Sequence, residues 1–135
     1  MQLTQEQQQK AQQKFEEDIK KVDMDDVEYA SKKGDKKVHD MENNIPSSLT
    51  KLWDDIKLMI SLLKDYFNGT YRETPWGTIA AIAGAVVYFV SPVDVIPDII
   101  PIVGYLDDAL VIKLALDFAR SDLENYKNWK MRQTV

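Results

Sequence analysis

Between Glu73 and Asp94 the chain runs for twenty residues, Thr74 to Val93, without a single charge. A helix of that composition has no face suited to water, so it must be covered all round, by protein or by lipid. Thr74 and Pro75 supply an N-cap and a first-turn proline, and the pattern predicts a helix from Trp76 to about Val90. Gly77, Ala81 and Ala85 fall on one line of that helix, and Ala80 and Gly84 on the next. Small residues in such lines let another helix come close.

Two environments answer the requirement. The segment has the roughly 20 residues of a spanning helix, with Trp76 at one end and Tyr88 and Phe89 near the other as interfacial anchors. Alternatively Pro92 cuts the helix short, and its Ala- and Gly-rich run lies at the centre of a soluble bundle. In either setting Trp76, Ile79, Ile82, Val86, Val87 and Phe89 are the contact residues, with lipid or with core. The membrane reading is preferred here. Lys51, Lys57, Lys64 and Arg72 precede the segment and no base follows until Lys113, which places the N-terminal arm on the cytoplasmic side. The alternative is a cytoplasmic protein.

The flanking sequence is helical in period. Residues 5–13 are mostly glutamine, with Thr4 and Gln7 spaced for a capping box. Val27, Ala30, Gly34, Val38, Met41 and Ile45 form one narrow apolar stripe. Gly34 within it marks a break or a close contact, since it costs about 1 kcal/mol against Ala in a helix. Pro46 ends that helix, and Ser47 or Ser48 is placed to cap the next. Leu49, Trp53, Ile56, Ile60, Leu63 and Phe67 then share a face, with Ser61 and Lys64 among the residues across from it. Leu58 and Leu62 on the polar side point to a second contact. Asn68-Gly69 closes the helix. After a proline-punctuated stretch, Asp107 or Asp108 caps a last helix to roughly Asn128. Its charges Lys113, Asp117, Arg120, Glu124 and Lys127 occupy an arc of about 80°. No stretch alternates with period two, so no sheet is expected.

The fold class is therefore all-α: a domain of about three helices over residues 46–130, preceded by a long helical arm, residues 1–45. At 135 residues there is room for one domain. The chain has no cysteine and a single histidine, His39, which removes disulfides, His/Cys zinc sites and Ser-His-Asp or Cys-His catalysis. The net charge is -5. Residues 1–44 hold 8 Lys and 11 acids, and no segment is basic, so nucleic acid is not an expected partner. The opening MQLTQEQQQK lacks the apolar core of a secretory signal.

The run Ser91-Pro92-Val93-Asp94-Val95-Ile96-Pro97-Asp98-Ile99-Ile100-Pro101, continuing to Gly104-Tyr105-Leu106-Asp107-Asp108, resembles the signature of the YkvA-like domain family. Ser91, Pro92, Pro97, Pro101 and Gly104 are its fixed points, and the likeness spans roughly residues 71–110. The resemblance implies a short helical domain of bacterial proteins, often membrane-located, with no assigned chemistry and no cofactor.

Asp94, Asp98, Asp107 and Asp108 stand out in apolar surroundings, where a bare carboxylate is costly to bury. Each lies beside a chain break and suits capping or a turn. The same four carboxylates could instead hold Mg²⁺, Mn²⁺ or Ca²⁺ and activate water, the one hydrolytic chemistry that residue types permit. The preferred function is non-enzymatic: a membrane-associated interaction or regulatory module whose arm, residues 1–45, meets a protein partner or a second copy of the chain. The alternatives are a metal-dependent hydrolase using these aspartates and a soluble regulator or toxin-neutralising bundle.

Overall fold

The computed structural model describes residues 5–90 and 108–133, apart from several α1 side chains and those of Asp108 and Leu110. Among these residues it is all-helical: α1 (Gln5–Asp18), α2 (Met24–Met41), α3 (Trp53–Asn68), α4 (Trp76–Val90) and α5 (Asp108–Gln133), with 3-10 turns at Ile19–Lys21 and Ser47–Leu52. No strand occurs among them.

The charge-free segment becomes α4, and α4 is the centre of the core. Ile79, Ile82, Val86, Val87 and Phe89 are buried, together with the alanines and Thr78 between them. α2 and α5 pack on it, α3 packs chiefly on α2, and the 3-10 turn after α1 also reaches it. Trp76 is the exception, 40% exposed at the helix start. The spanning expectation is thereby corrected. α4 has 15 residues, about 22 Å of helix against about 30 Å of hydrocarbon, and its surface is already covered by protein. Among the described residues no helix is long and apolar enough to cross a membrane. The inferred cytoplasmic orientation of the arm depended on a spanning segment and loses its basis.

The arm also divides differently from the expectation. Its second half, α2, places Val27, Ala30 and Val38 in the same core as α3 and α4. The packed unit is thus four helices, α2 to α5, rather than three. Ile19 and Val22, between α1 and α2, join the core as well. A capping box starts α2: the Asp23 side chain accepts from the Asp26 amide, and Asp26 accepts from the Asp23 amide, both at 3.0 Å.

Other local expectations hold or shift for identifiable reasons. Gly69 ends α3 with φ 81°, the left-handed conformation that favours glycine. Ser47 and Ser48 do not cap α3, because the chain first makes a 3-10 turn behind Pro46, and α3 begins at Trp53. Thr74 does not cap α4 either. Its hydroxyl is buried without a hydrogen-bond partner among the described residues, while the Pro75 carbonyl accepts from the Thr78 and Ile79 amides. The Ser31 hydroxyl, buried mid-helix, is satisfied by the Glu28 carbonyl at 2.9 Å.

Gly34 is a point of closest approach and not a break. A Cβ there would stand 2.9 Å from Val86 Cγ1, and 3.1 and 3.2 Å from Ile60 Cγ1 and Cδ1. Both neighbours are core side chains with little room to move. Gly34→Ala should gain about 1 kcal/mol of helix propensity and lose more to overpacking, typically about 1–3 kcal/mol. The expected net result in urea denaturation is a loss of roughly 1 kcal/mol, with Gly34→Val losing more. A more stable Gly34→Ala would show that α2 does not pack on α3 and α4 and is an arm after all.

Candidate functional site

Two helix faces meet to build the most distinctive polar arrangement among the described residues. Ser61 and Asp65 lie one turn apart on α3, and Tyr126 and Lys130 one turn apart on α5. The i,i+4 spacing puts each pair on one face, and where α3 and α5 touch, Lys130 meets Ser61 while Tyr126 meets both Ser61 and Asp65. Tyr126 Oη lies 2.5 Å from Asp65 Oδ2 and 2.7 Å from Ser61 Oγ. Lys130 Nζ donates to Ser61 Oγ and, at 3.4 Å, to Tyr126 Oη.

Hydrogen-bond direction follows from what each group can do. An ionised Asp65 only accepts and an ammonium only donates. Tyr126 therefore gives its proton to Asp65, Ser61 gives its own to Tyr126, and Lys130 donates into both hydroxyls. The result is a directed chain from cation to anion, Lys130 to Ser61 to Tyr126 to Asp65. Asp65 lies in the last turn of α3, where the helix dipole disfavours a negative charge, and the phenol offsets that with a charge-assisted bond. Burial, then the bond to Asp65, raises the Tyr126 pKa well above its usual value, and the Ser61 bond opposes this. Tyr71 packs edge-on against Tyr126 at 5.1 Å and against Trp129 at 4.8 Å. Its phenol is also raised, first by burial and then by Glu73 and Asp122.

Beside this ladder lies a cleft of about 290 Å³ between α2, α3 and α5. Asp35 and Val38 line it from α2, Lys57, Ile60 and Lys64 from α3, and Lys130 closes it from α5. Lys64 pairs with Asp35 and Lys57 with Glu42, each at 3.5 Å and each largely in solvent. Such exposed pairs contribute little and exchange readily.

At the other end of the bundle, Lys37 of α2 donates its ammonium to the Phe89 carbonyl and lies 4.7 Å from the centroid of the Phe89 ring. That carbonyl belongs to the last turn of α4, so a cation neutralises the negative end of a helix that carries no charge of its own. The lysine thus holds the C-terminal end of α4.

Of the residues singled out by sequence, Asp94, Asp98 and Asp107 lie outside the described residues, as do Ser91, Pro92, Pro97, Pro101 and Gly104. Asp108 is the first residue of α5, and its side chain also lies outside the description. Among the described residues no three His, Cys, Asp or Glu side chains are grouped to hold a metal ion. The ladder was not anticipated. Ser61 had been placed on the solvent side of α3, and the signal, a Ser/Asp pair facing a Tyr/Lys pair, shows only once α3 and α5 are known to touch.

Comparison with known proteins bears on the scaffold more than on the ladder. A family model described as "Protein of unknown function (DUF1232)" matches residues 78–114, which run from the first turn of α4 into α5. An "Uncharacterized membrane protein YkvA" of Bacillus subtilis (strain 168) is 32% identical over 77 residues, 57% of this chain and 73% of that protein. The chain belongs to the YkvA-like family. No solved structure matches it. Ser61, Asp65, Tyr126 and Lys130 all fall outside the span of the family match, so the YkvA-like model accounts for α4 and its continuation and not for the cleft.

The Tyr126–Asp65 bond makes a prediction about alkaline stability. The native chain holds the Tyr126 proton to higher pH than the unfolded chain does, so the bond's full contribution is present below about pH 10. It is lost as pH rises through the raised native pKa. Tyr126→Phe should cost about 1–2 kcal/mol near neutral pH, by losing a hydrogen bond to a charged acceptor. In denaturation series above pH 9 the variant should lose stability with a shallower slope than the wild type. Equal slopes would mean that the phenol is not held by Asp65.

Proposed function

We propose that this chain is a non-enzymatic helical module that works at a membrane surface, attached from one side and not through α4. The observation that carries the reading is the burial of α4 within its own protein, taken with a relative that is named a membrane protein. To insert α4 in lipid, α2 and α5 would have to leave it, exposing the Val27, Ala30 and Val111 faces that now cover it. Peripheral attachment needs no such rearrangement.

The N-terminal region is proposed as the side that meets a protein partner or a second copy of the chain. The described side chains of α1 are exposed, and the helix carries acids and glutamines, with Lys10 paired to Glu6 at 3.6 Å. A surface of that kind suits reversible, polar recognition. A soluble regulator or toxin-neutralising bundle would use the same surface without the membrane.

Fractionation separates these readings. The chain, expressed in a bacterial host without detergent, is expected in the membrane fraction, to be released by high salt or alkaline carbonate, and to float with liposomes. Release only by detergent would indicate insertion. Recovery as a monodisperse soluble species that ignores liposomes would remove the membrane reading and bring the soluble regulator forward.

A further inference from the structure

The cleft beside the Ser61–Tyr126 ladder has features of a binding site. Its lining holds three lysines, Lys57, Lys64 and Lys130, against Asp35 and Asp65, one net positive charge on a chain whose total is -5. Lys57, Ser61 and Lys64 are spaced i, i+4 and i+7, so two ammonium groups and a hydroxyl share one face of α3. The third ammonium, Lys130, comes from α5 and is held by the Ser61 and Tyr126 hydroxyls. Among the described residues it has no carboxylate within ion-pair distance, unlike Lys57 and Lys64. Asp65 is turned to the phenol. A fixed cation whose contacts are neutral oxygens is prepared for an anion that is not part of the chain.

The donor set narrows the anion. Three point-charge ammonium groups from two helices suit a tetrahedral oxyanion that accepts from several directions, whereas a planar carboxylate is matched best by an arginine fork, and no arginine lines the cleft. A volume of about 290 Å³ lies at the small end of ligand sites, about 300–1,000 Å³. Val38 and Ile60 in the lining leave room for a short apolar portion. Lysine-activated nucleophilic catalysis by Ser61 does not fit. Lys130 is exposed, and Ser61 lies inside α3, where backbone amides are bonded within the helix and none is available as an oxyanion donor.

We propose that the cleft between α2, α3 and α5 binds a phosphate group, carried by a small soluble phosphate ester or by an anionic lipid headgroup, with Lys130 as the principal donor and Lys57 and Lys64 exchanging their exposed acid partners for it. The site stands apart from the membrane reading, because a soluble phosphate ester would fill it equally well.

The test uses the full chain and two probes. The first is inorganic phosphate, titrated calorimetrically and by thermal shift against chloride at constant ionic strength. The second is vesicles of phosphatidylglycerol in phosphatidylcholine, compared with phosphatidylcholine alone. Lys130→Gln keeps a side chain able to reach Ser61 and removes the charge. Lys127→Gln, an equal charge change on the exposed face of α5 outside this cleft, is the control, and circular dichroism checks that each variant is folded. Phosphate is expected to bind and raise the melting temperature of the wild type and of Lys127→Gln, with Lys130→Gln weakened roughly tenfold or more, as for loss of one charge-assisted bond. Flotation that depends on phosphatidylglycerol and is lost in Lys130→Gln assigns the phosphate to a lipid headgroup. Phosphate binding without it assigns a soluble ester. Absence of phosphate binding, or equal weakening in both variants, overturns the site. Vesicle binding that persists in Lys130→Gln would then leave the membrane reading standing without it.

Discussion

Everything in this bundle depends on covering a helix that has no polar side. α4 carries no charge, and eleven of its fifteen residues are buried, so its neighbours must approach from several directions. Small residues make that approach possible. The alanines of α4 bring the backbones together, and Gly34 of α2 lies where even one methyl group would meet Val86 and Ile60. Burial at about 25 cal/mol per Å² of apolar surface then rewards close contact, but only while the contact stays close. The arrangement is stable because three amphipathic helices each contribute a stripe, and none of the three can be removed without leaving α4 partly bare.

The same requirement explains where the polar groups gather. A helix without charge offers its neighbours few polar partners, and its backbone and Thr78 are both used. The Asp122 carboxylate accepts from the Thr78 hydroxyl at 2.6 Å, and Lys37 meets the Phe89 carbonyl. Polar side chains on the outer helices otherwise have to find one another. Ser61, Asp65, Tyr126 and Lys130 do so across α3 and α5, at the margin of the core, with Tyr126 buried, Ser61 and Asp65 half-buried and Lys130 exposed. Tyr126 is fully buried, yet its phenol is satisfied twice over, which avoids the cost of an orphaned hydroxyl.

How much of this was legible in the sequence depended on whether the signal was local. The span of α4, the glycine cap at Gly69 and the buried stripes of α2 and α3 are set by spacing within one helix, and they appear where periodicity places them. Leu62, read as evidence for a second contact, is fully buried. Signals that pair two distant segments were not readable. Whether lipid or protein covers α4 depends on α2 and α5, both distant in the sequence, and the periodicity of α4 is the same in both cases. The narrow stripe of α2 is visible in the sequence, but its partners, α4 and α3, are not. The caps assigned to Ser47, Ser48 and Thr74 failed because Pro46 and Pro75 redirect the chain before the helix begins, whereas the Asp23–Asp26 box was in plain view and was passed over for Thr4 and Gln7. The four aspartates of the signature fall where the structure gives no account of their side chains.

The family match and the polar ladder lie in different parts of the molecule. The family match covers residues 78–114, the part that has to be buried and the sequence that follows it, whose demands of size and polarity are common to any protein built around such a helix. The polar ladder is assembled from α3 and from the last turns of α5, and its cleft from these and α2, beyond that match. Ser61, Asp65 and Lys130 lie at the margin of the core, whereas Tyr126 is buried within it, so the phenol serves the packing and the ladder at once. A site assembled at the margin of a packed scaffold is the arrangement expected when function resides in sites placed on a fold and not in the fold itself. Likeness in α4 therefore bears on the architecture, while the binding proposed for this chain rests on Ser61, Asp65, Tyr126 and Lys130.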